Sequence, residues 1–158
     1  MKFNRVAVGG TFDYLHDGHV AILAKAFEIG EHVVVGIVSD EMELRKDSVG
    51  IAPLEVRMRS LLEVLKLKGW IERAEITVIS DPFGTAVSDV ALQAIVVSPE
   101  TRARAEELNK IRTSNGLAAL EIVEIPFVLA EDGAPISSVR VMYGEIDTHG
   151  KLLKRYTN

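Results

Sequence analysis

Apolar and polar positions along this chain switch repeatedly between two periods, and the switches lay out a succession of strands and helices. Phe3 to Val8 is a short, mostly apolar run that predicts a first strand. Gly18 to Ile29 then carries helical spacing, with Gly30 placed near its end. His32 to Val38 is β-branched and almost wholly apolar, as a strand covered on both faces should be. Ser39-Asp40 would cap a short helix through Leu44. Pro53 opens a longer helix ending near Lys68-Gly69, with Leu54, Met58, Leu61, Leu62 and Leu65 on one stripe. Strands are expected at Glu75 to Ile79 and Ala94 to Val97. A charged helix would begin at Ser98-Pro99-Glu100 and stop before Asn115-Gly116. A fifth strand, Leu120 to Ile125, and a late short helix, Ser137 to Met142, complete the pattern.

This alternation predicts an α/β protein with a Rossmann-like open parallel five-stranded sheet and helices on both faces. The 158 residues suit one domain, residues 1–158, in which Gly144 to Asn158 forms a C-terminal extension that packs on it or frays. Arg45 to Ala52 and Ala130 to Pro135 are expected to be flexible connections. The net charge of −5 offers no basic excess for nucleic acid, so no such partner is expected. The absence of cysteine excludes disulfides, thiolate catalysis and cysteine-ligated metals. No apolar run approaches the roughly 18 residues of a membrane helix, and a cytoplasmic protein with no membrane partner is expected.

The densest candidate chemistry lies between the first strand and the first helix, in Gly9-Gly10-Thr11-Phe12-Asp13-Tyr14-Leu15-His16-Asp17-Gly18-His19. A strand-to-helix turn in an α/β protein offers free backbone N–H groups and a positive helix end, both suited to phosphate. An imidazole there can donate to oxygens that gain charge during phosphoryl chemistry. Gly18 permits close approach at the helix start, and Thr11 has a hydroxyl to offer an incoming phosphate. Asp13 and Asp17 suit turn or cap roles. The spacing matches neither a P-loop nor a three-glycine dinucleotide fingerprint. A two-histidine metal site is the lesser alternative, since no third ligand is evident.

A second constellation is Pro135-Ile136-Ser137-Ser138-Val139-Arg140, in which serine hydroxyls and a guanidinium form an anion cradle or, more plainly, a cap and a surface charge. Lys46 and Arg57 are further cations near strand ends. Val97-Ser98-Pro99-Glu100-Thr101 and Asp81-Pro82-Phe83-Gly84-Thr85 put polar groups just after buried strands, on the ligand side of a parallel sheet. Trp70 and Tyr143 suit packing better than ligand stacking.

Gly10-Thr11-Phe12-Asp13 with His16-Asp17-Gly18-His19 resembles the signature of the nucleotidyltransferase superfamily, and Ile136-Ser137-Ser138 with Arg140 resembles its second phosphate motif. The whole chain is similar to the archaeal phosphopantetheine adenylyltransferases. Ser98-Pro99-Glu100-Thr101, Leu129-Ala130-Glu131-Asp132-Gly133 and Gly144-Glu145-Ile146-Asp147 carry that likeness. The resemblance implies transfer of AMP from ATP to 4′-phosphopantetheine, giving 3′-dephospho-coenzyme A and pyrophosphate, with Mg²⁺ as cofactor. His19, His16, Thr11, Lys46 and Arg140 would be catalytic. Gly10, Thr11, Phe12, His19, Glu100, Ser137, Ser138 and Arg140 would bind the nucleotide, and Thr11, Lys46 and Arg57 the acceptor. Dephospho-coenzyme A or coenzyme A would be a ligand, and a monomer or dimer is expected. Val139 departs from the threonine of the family's second motif and removes one hydroxyl contact. Rival readings are a cytidylyltransferase for glycerol phosphate or an aminoalcohol phosphate, an adenylyltransferase making FAD or using nicotinamide mononucleotide, and a nucleotide-binding module without turnover.

Overall fold

The computed structural model describes residues 1–41 and 51–153. Five strands, β1 (Phe3–Gly10), β2 (Gly30–Val38), β3 (Ala74–Ile79), β4 (Ala94–Val97) and β5 (Glu121–Glu124), form one sheet in the order β3-β2-β1-β4-β5. Every neighbouring pair is parallel. The chain therefore runs outward from β1 to β3, then crosses back to β4 and β5. The reversal between β1 and β4 opens a crevice at the carboxyl ends of the strands, where open α/β sheets bind ligands.

The two faces are covered by different helices. Val6 and Val8 of β1, with Val33, Val35 and Ile37 of β2, pack against Leu23, Ala26 and Phe27 of α1 (Asp17–Ile29) and Leu61 and Leu65 of α2 (Leu54–Leu67). On the opposite face Ala7 and Val34 meet Leu108 of α3 (Arg102–Ser114), with Phe83, Ala86 and Val87 at the margin. Alternate residues of β1 thus feed separate cores, as strand periodicity requires. The expected architecture, an open parallel sheet covered on both faces, is the one observed. Trp70 stacks on Phe27 at 5.0 Å, as expected of a packing residue. A third, small cluster of Ala130, Ile136 and Ile146 seats the polypeptide around the short helix α4 (Ser138–Met142). Among the described residues no helix is long and apolar enough to cross a membrane.

Several expectations are corrected in detail. Gly30 stands at the end of α1 as expected, its N–H donating to the Ala26 carbonyl, but it is already extended, at φ −114°, and begins β2 without a connecting loop. The charged helix starts at Arg102, because Ser98 to Thr101 first close a turn in which the N–H groups of Thr101 and Arg102 donate to the Ser98 carbonyl. Ala130 to Pro135 is a hydrogen-bonded turn rather than a loose connection. Ala130 N–H donates to the Ala134 carbonyl at 2.7 Å, Asp132 accepts from the Ala134 N–H, and Gly133 takes the required φ of +83°. Tyr143 is 61% exposed at the end of a one-turn helix, so it is not a packing residue. Asp40 and Glu41 begin the helix expected after Ser39, but its remainder and most of Arg45 to Ala52 lie outside the described residues.

Candidate active site

The first motif leaves β1 at Gly10, where a Cβ would meet nothing within 4 Å, so that stretch of backbone faces open space. Two non-glycine residues of the following turn lie in the left-handed region, Phe12 at φ 53° and Tyr14 at φ 44°. Each such conformation costs about 1–3 kcal/mol and persists only where the surroundings impose it. Here they do. Phe12 is buried, 5.6 Å from the His19 ring, and Asp13 is 2% exposed with its carboxylate accepting from Ala52 N–H at 3.0 Å.

His16 is the N-cap of α1 and His19 stands one turn in. Gly18 N–H donates to His16 Nδ1 at 3.0 Å, and His16 N–H donates to His19 Nδ1 at 3.1 Å. This is a capping box assembled from two imidazoles. The rings stack at 3.9 Å. An imidazole whose Nδ1 accepts a hydrogen bond and which is neutral carries its proton on Nε2. Both rings are held neutral. Burial pushes His16 down to about 4 against a smaller opposing pull from Asp17, and burial together with His16 pushes His19 down to about 3. Each therefore has one N–H donor left, Nε2, with no partner among the described residues. Gly18 is required by the same geometry, since a Cβ there would stand 2.8 Å from His16 Cε1.

The second motif is joined to the first. Ser138 donates its hydroxyl to the Asp13 carbonyl at 2.6 Å, across 125 residues of sequence. Ser137 caps α4 by accepting from Arg140 N–H. Val139 is 58% exposed. Arg140 lies on this helix, but its guanidinium is engaged by the protein: it bonds Glu145 at 3.0 Å, the carboxylate of Asp132, and the carbonyls of Pro135 and Ala134. Asp132 and Glu145 hold its basicity above the usual arginine value.

Arg57, expected at the substrate, is 1% exposed and donates to the carbonyls of Ala52, Thr11 and Val38 and to the Asp40 carboxylate. Glu100 is exposed in the turn after β4, and Thr11 is half-buried with its hydroxyl accepting from Asp13 N–H at 3.3 Å. Lys46 lies outside the described residues. Asp17 opens α1, where its N–H donates to the Thr148 carbonyl and its carboxylate pairs with His149 at 2.9 Å. That tie from the C-terminal segment to the histidine motif had no local signal, since the partners are more than 130 positions apart. The Asp132–Arg140–Glu145 cluster had one, two carboxylates close in sequence to an arginine. Among the described residues no group of three His, Asp or Glu side chains is placed to hold a metal ion.

Beside Gly10, on the α3 face of the sheet, is a cavity of about 130 Å³. The carboxyl-terminal halves of β1 to β3, through Gly9, Gly36 and Ile79, form its floor, and Phe83, Ala86 and Leu108 its apolar walls. Thr101 and the exposed Arg104 stand among its polar lining groups. The site therefore combines two neutral imidazole donors, an open glycine backbone and an adjoining apolar slot, an arrangement suited to a phosphate ester with an elongated organic tail.

The cytidylyltransferase-like family model matches residues 7–142. The phosphopantetheine adenylyltransferase of Methanothermobacter thermautotrophicus is 47% identical over 154 residues, covering 98% of this chain and 92% of its own. That of Methanosarcina barkeri is 48% identical over 153 residues, covering 95% and 93%. A crystal structure of a protein of unknown function from Archaeoglobus fulgidus superposes with a TM-score of 0.69 at 32% identity, over 77% of this chain and 88% of that one.

Proposed function

Because this chain belongs to the phosphopantetheine adenylyltransferases of the cytidylyltransferase-like family, we propose that it transfers AMP from ATP to 4′-phosphopantetheine, forming 3′-dephospho-coenzyme A and pyrophosphate. The observation that supports this most is the pair of imidazoles whose Nδ1 atoms are both tied to backbone N–H groups. A neutral N–H donor fixed before substrate arrives suits charge that grows on phosphate oxygens.

In the reaction an oxygen of the acceptor's terminal phosphate attacks the α-phosphorus of ATP. The α–β phosphoanhydride bond breaks as the new bond forms, and pyrophosphate leaves with the electron pair. No protein base is needed, because a phosphate monoester is already substantially dianionic near neutral pH. Catalysis is then positioning and charge stabilisation. His19 donates from Nε2 to the α-phosphate, and His16 supports the triphosphate. Thr11 and Lys46 orient the acceptor phosphate. Gly10 and Phe12 border the nucleotide, and Glu100 lines its base side. Ser137, Ser138 and Arg140 serve the β- and γ-phosphates, with Arg140 exchanging Asp132 for a phosphate oxygen. Mg²⁺, carried in on ATP rather than held by a protein ligand set among the described residues, would supply charge neutralisation at the triphosphate and the leaving pyrophosphate. The cavity beside Gly10 takes the pantetheine arm, whose apolar stretches match walls of Phe83, Ala86 and Leu108.

A pyrophosphate-release assay with ATP and CTP, each offered with phosphopantetheine, glycerol 3-phosphate, FMN and nicotinamide mononucleotide, tests the assignment. Turnover selective for ATP with phosphopantetheine is expected. Turnover with another pair alone would assign the chain to a different reaction of the superfamily.

A further inference from the structure

Arg57 is the most deeply buried cation in contact with the first motif, and the reaction described above leaves it without a task. Its side chain spans three elements. Nη1 donates to the Val38 carbonyl at 2.7 Å, at the end of β2, and to the Thr11 carbonyl at 3.0 Å, just beyond β1. Nε donates to the Ala52 carbonyl at 2.7 Å, and Nη2 to Asp40 Oδ1 at 2.9 Å. Four of its five N–H groups are thus spent on the protein. Asp40 and Ala52, two of the residues it grips, are themselves cross-tied. Asp40 Oδ1 also accepts from Leu54 N–H at 2.8 Å, and Ala52 N–H donates to the buried Asp13 carboxylate.

We propose that Arg57 is a positioning residue that never touches substrate, and that it sets Thr11, Asp40 and Ala52 in the register that receives the acceptor phosphate. What is positioned rests on the reaction proposed above; the tie itself does not. A guanidinium suits this work because its planar fork meets acceptors in several fixed directions, whereas an ammonium is a point charge with three rotating donors. A group 1% exposed can turn more than its one remaining Nη2 N–H to a phosphate only by breaking these bonds and leaving buried carbonyls unsatisfied. Among the described residues, three carbonyl oxygens and the Asp40 carboxylate, itself 55% exposed, accept its hydrogen bonds.

The opposing role, direct contact with the acceptor phosphate, makes the opposite prediction for Asp40. If Arg57 acts through its neighbours, Asp40→Asn weakens the tie and raises the acceptor KM by about tenfold, the scale of one hydrogen bond to a charged group. If Arg57 binds phosphate, removing the competing carboxylate lowers that KM. Arg57→Ala leaves buried carbonyls unpaired and is expected to destabilise the fold, so the decisive variants are Asp40→Asn and Arg57→Lys. Both are expected to raise the acceptor KM with the ATP KM unchanged within about twofold, and Arg57→Lys with Thr11→Ala is expected to be less than additive. A fall in acceptor KM in Asp40→Asn, or loss of thermal stability with both KM values and kcat unchanged, would overturn the proposal. Wild-type turnover tests the reaction separately, and the variants are read with whichever acceptor turns over. Amide exchange at Ala52 and Leu54 in the ligand-free protein reads the tie with no substrate present. It accelerates in both variants if Arg57 holds Asp40 and Ala52 in place, and unchanged exchange would refute the tie.

Discussion

Two nitrogens of one ring do separate work in His16 and His19. Nδ1 builds the start of α1 by accepting backbone N–H groups, and Nε2 is the donor that the proposed reaction uses. A capping role for a histidine therefore leaves the proposed catalytic one open to it. His19→Ala is expected to lower kcat by about 10²–10³-fold, the scale of losing one preorganised donor to a developing charge. The ATP KM should rise far less; an equal loss through weaker ATP binding would exclude a transition-state role. Burial also couples these rings to acid stability. Their folded pKa values, about 4 and about 3, lie below the ordinary 6.5. As pH falls below about 6.5 the unfolded chain takes up protons that the folded chain refuses. Stability should therefore be full above that pH, decline as pH falls toward 3, and level off below the folded values. Thermal melts at pH 7, 5 and 4 check this, and His19→Asn should flatten the decline.

The helix α1 begins where it does because His16 closes over its first turn, and Gly18 is the residue that makes room. Gly18→Ala would push a methyl group against the His16 ring. It should cost about 1–3 kcal/mol in urea titration, as overpacking does, and lower kcat by more than tenfold by turning the ring. Activity equal to wild type would show that the ring's position is unimportant. Period and turn chemistry made the elements legible in the amino-acid pattern. The β-branched run at Val33 to Val38 and the leucine stripe of α2 each permit one kind of element. The misread places are those where distant partners decide. Ala130 to Pro135 is ordered because Arg140 grips it. The clustering of the histidine turn with the serine motif, through Ser138 and Asp13, agrees with the candidate phosphate site that their motif spacing predicts. The duties of Asp13, Asp132, Glu145 and Arg57 were not legible there, because a cation's accessibility is settled by what folds around it.

The sheet joins these parts by its strand order. Reversal of the chain between β1 and β4 puts the histidine turn, the serine motif and the apolar slot at one edge. The slot lies on the α3 face, opposite the cores of α1 and α2, so it can be altered without disturbing His16 or His19. Ala86→Leu should narrow it and raise the phosphopantetheine KM by about tenfold or more while leaving the ATP KM within about twofold; steady-state kinetics with each substrate varied in turn would show the split. An equal rise in both would place the acceptor's tail elsewhere. Adenylyl transfer to phosphopantetheine is tested most directly by identifying the product. The protein is incubated with Mg²⁺, ATP and 4′-phosphopantetheine, and the mixture is resolved by chromatography with mass detection. Dephospho-coenzyme A should accumulate in step with pyrophosphate, fall away in His19→Ala and be absent with CTP. Its absence from an active wild-type reaction, or equal turnover with CTP, would contradict the assignment.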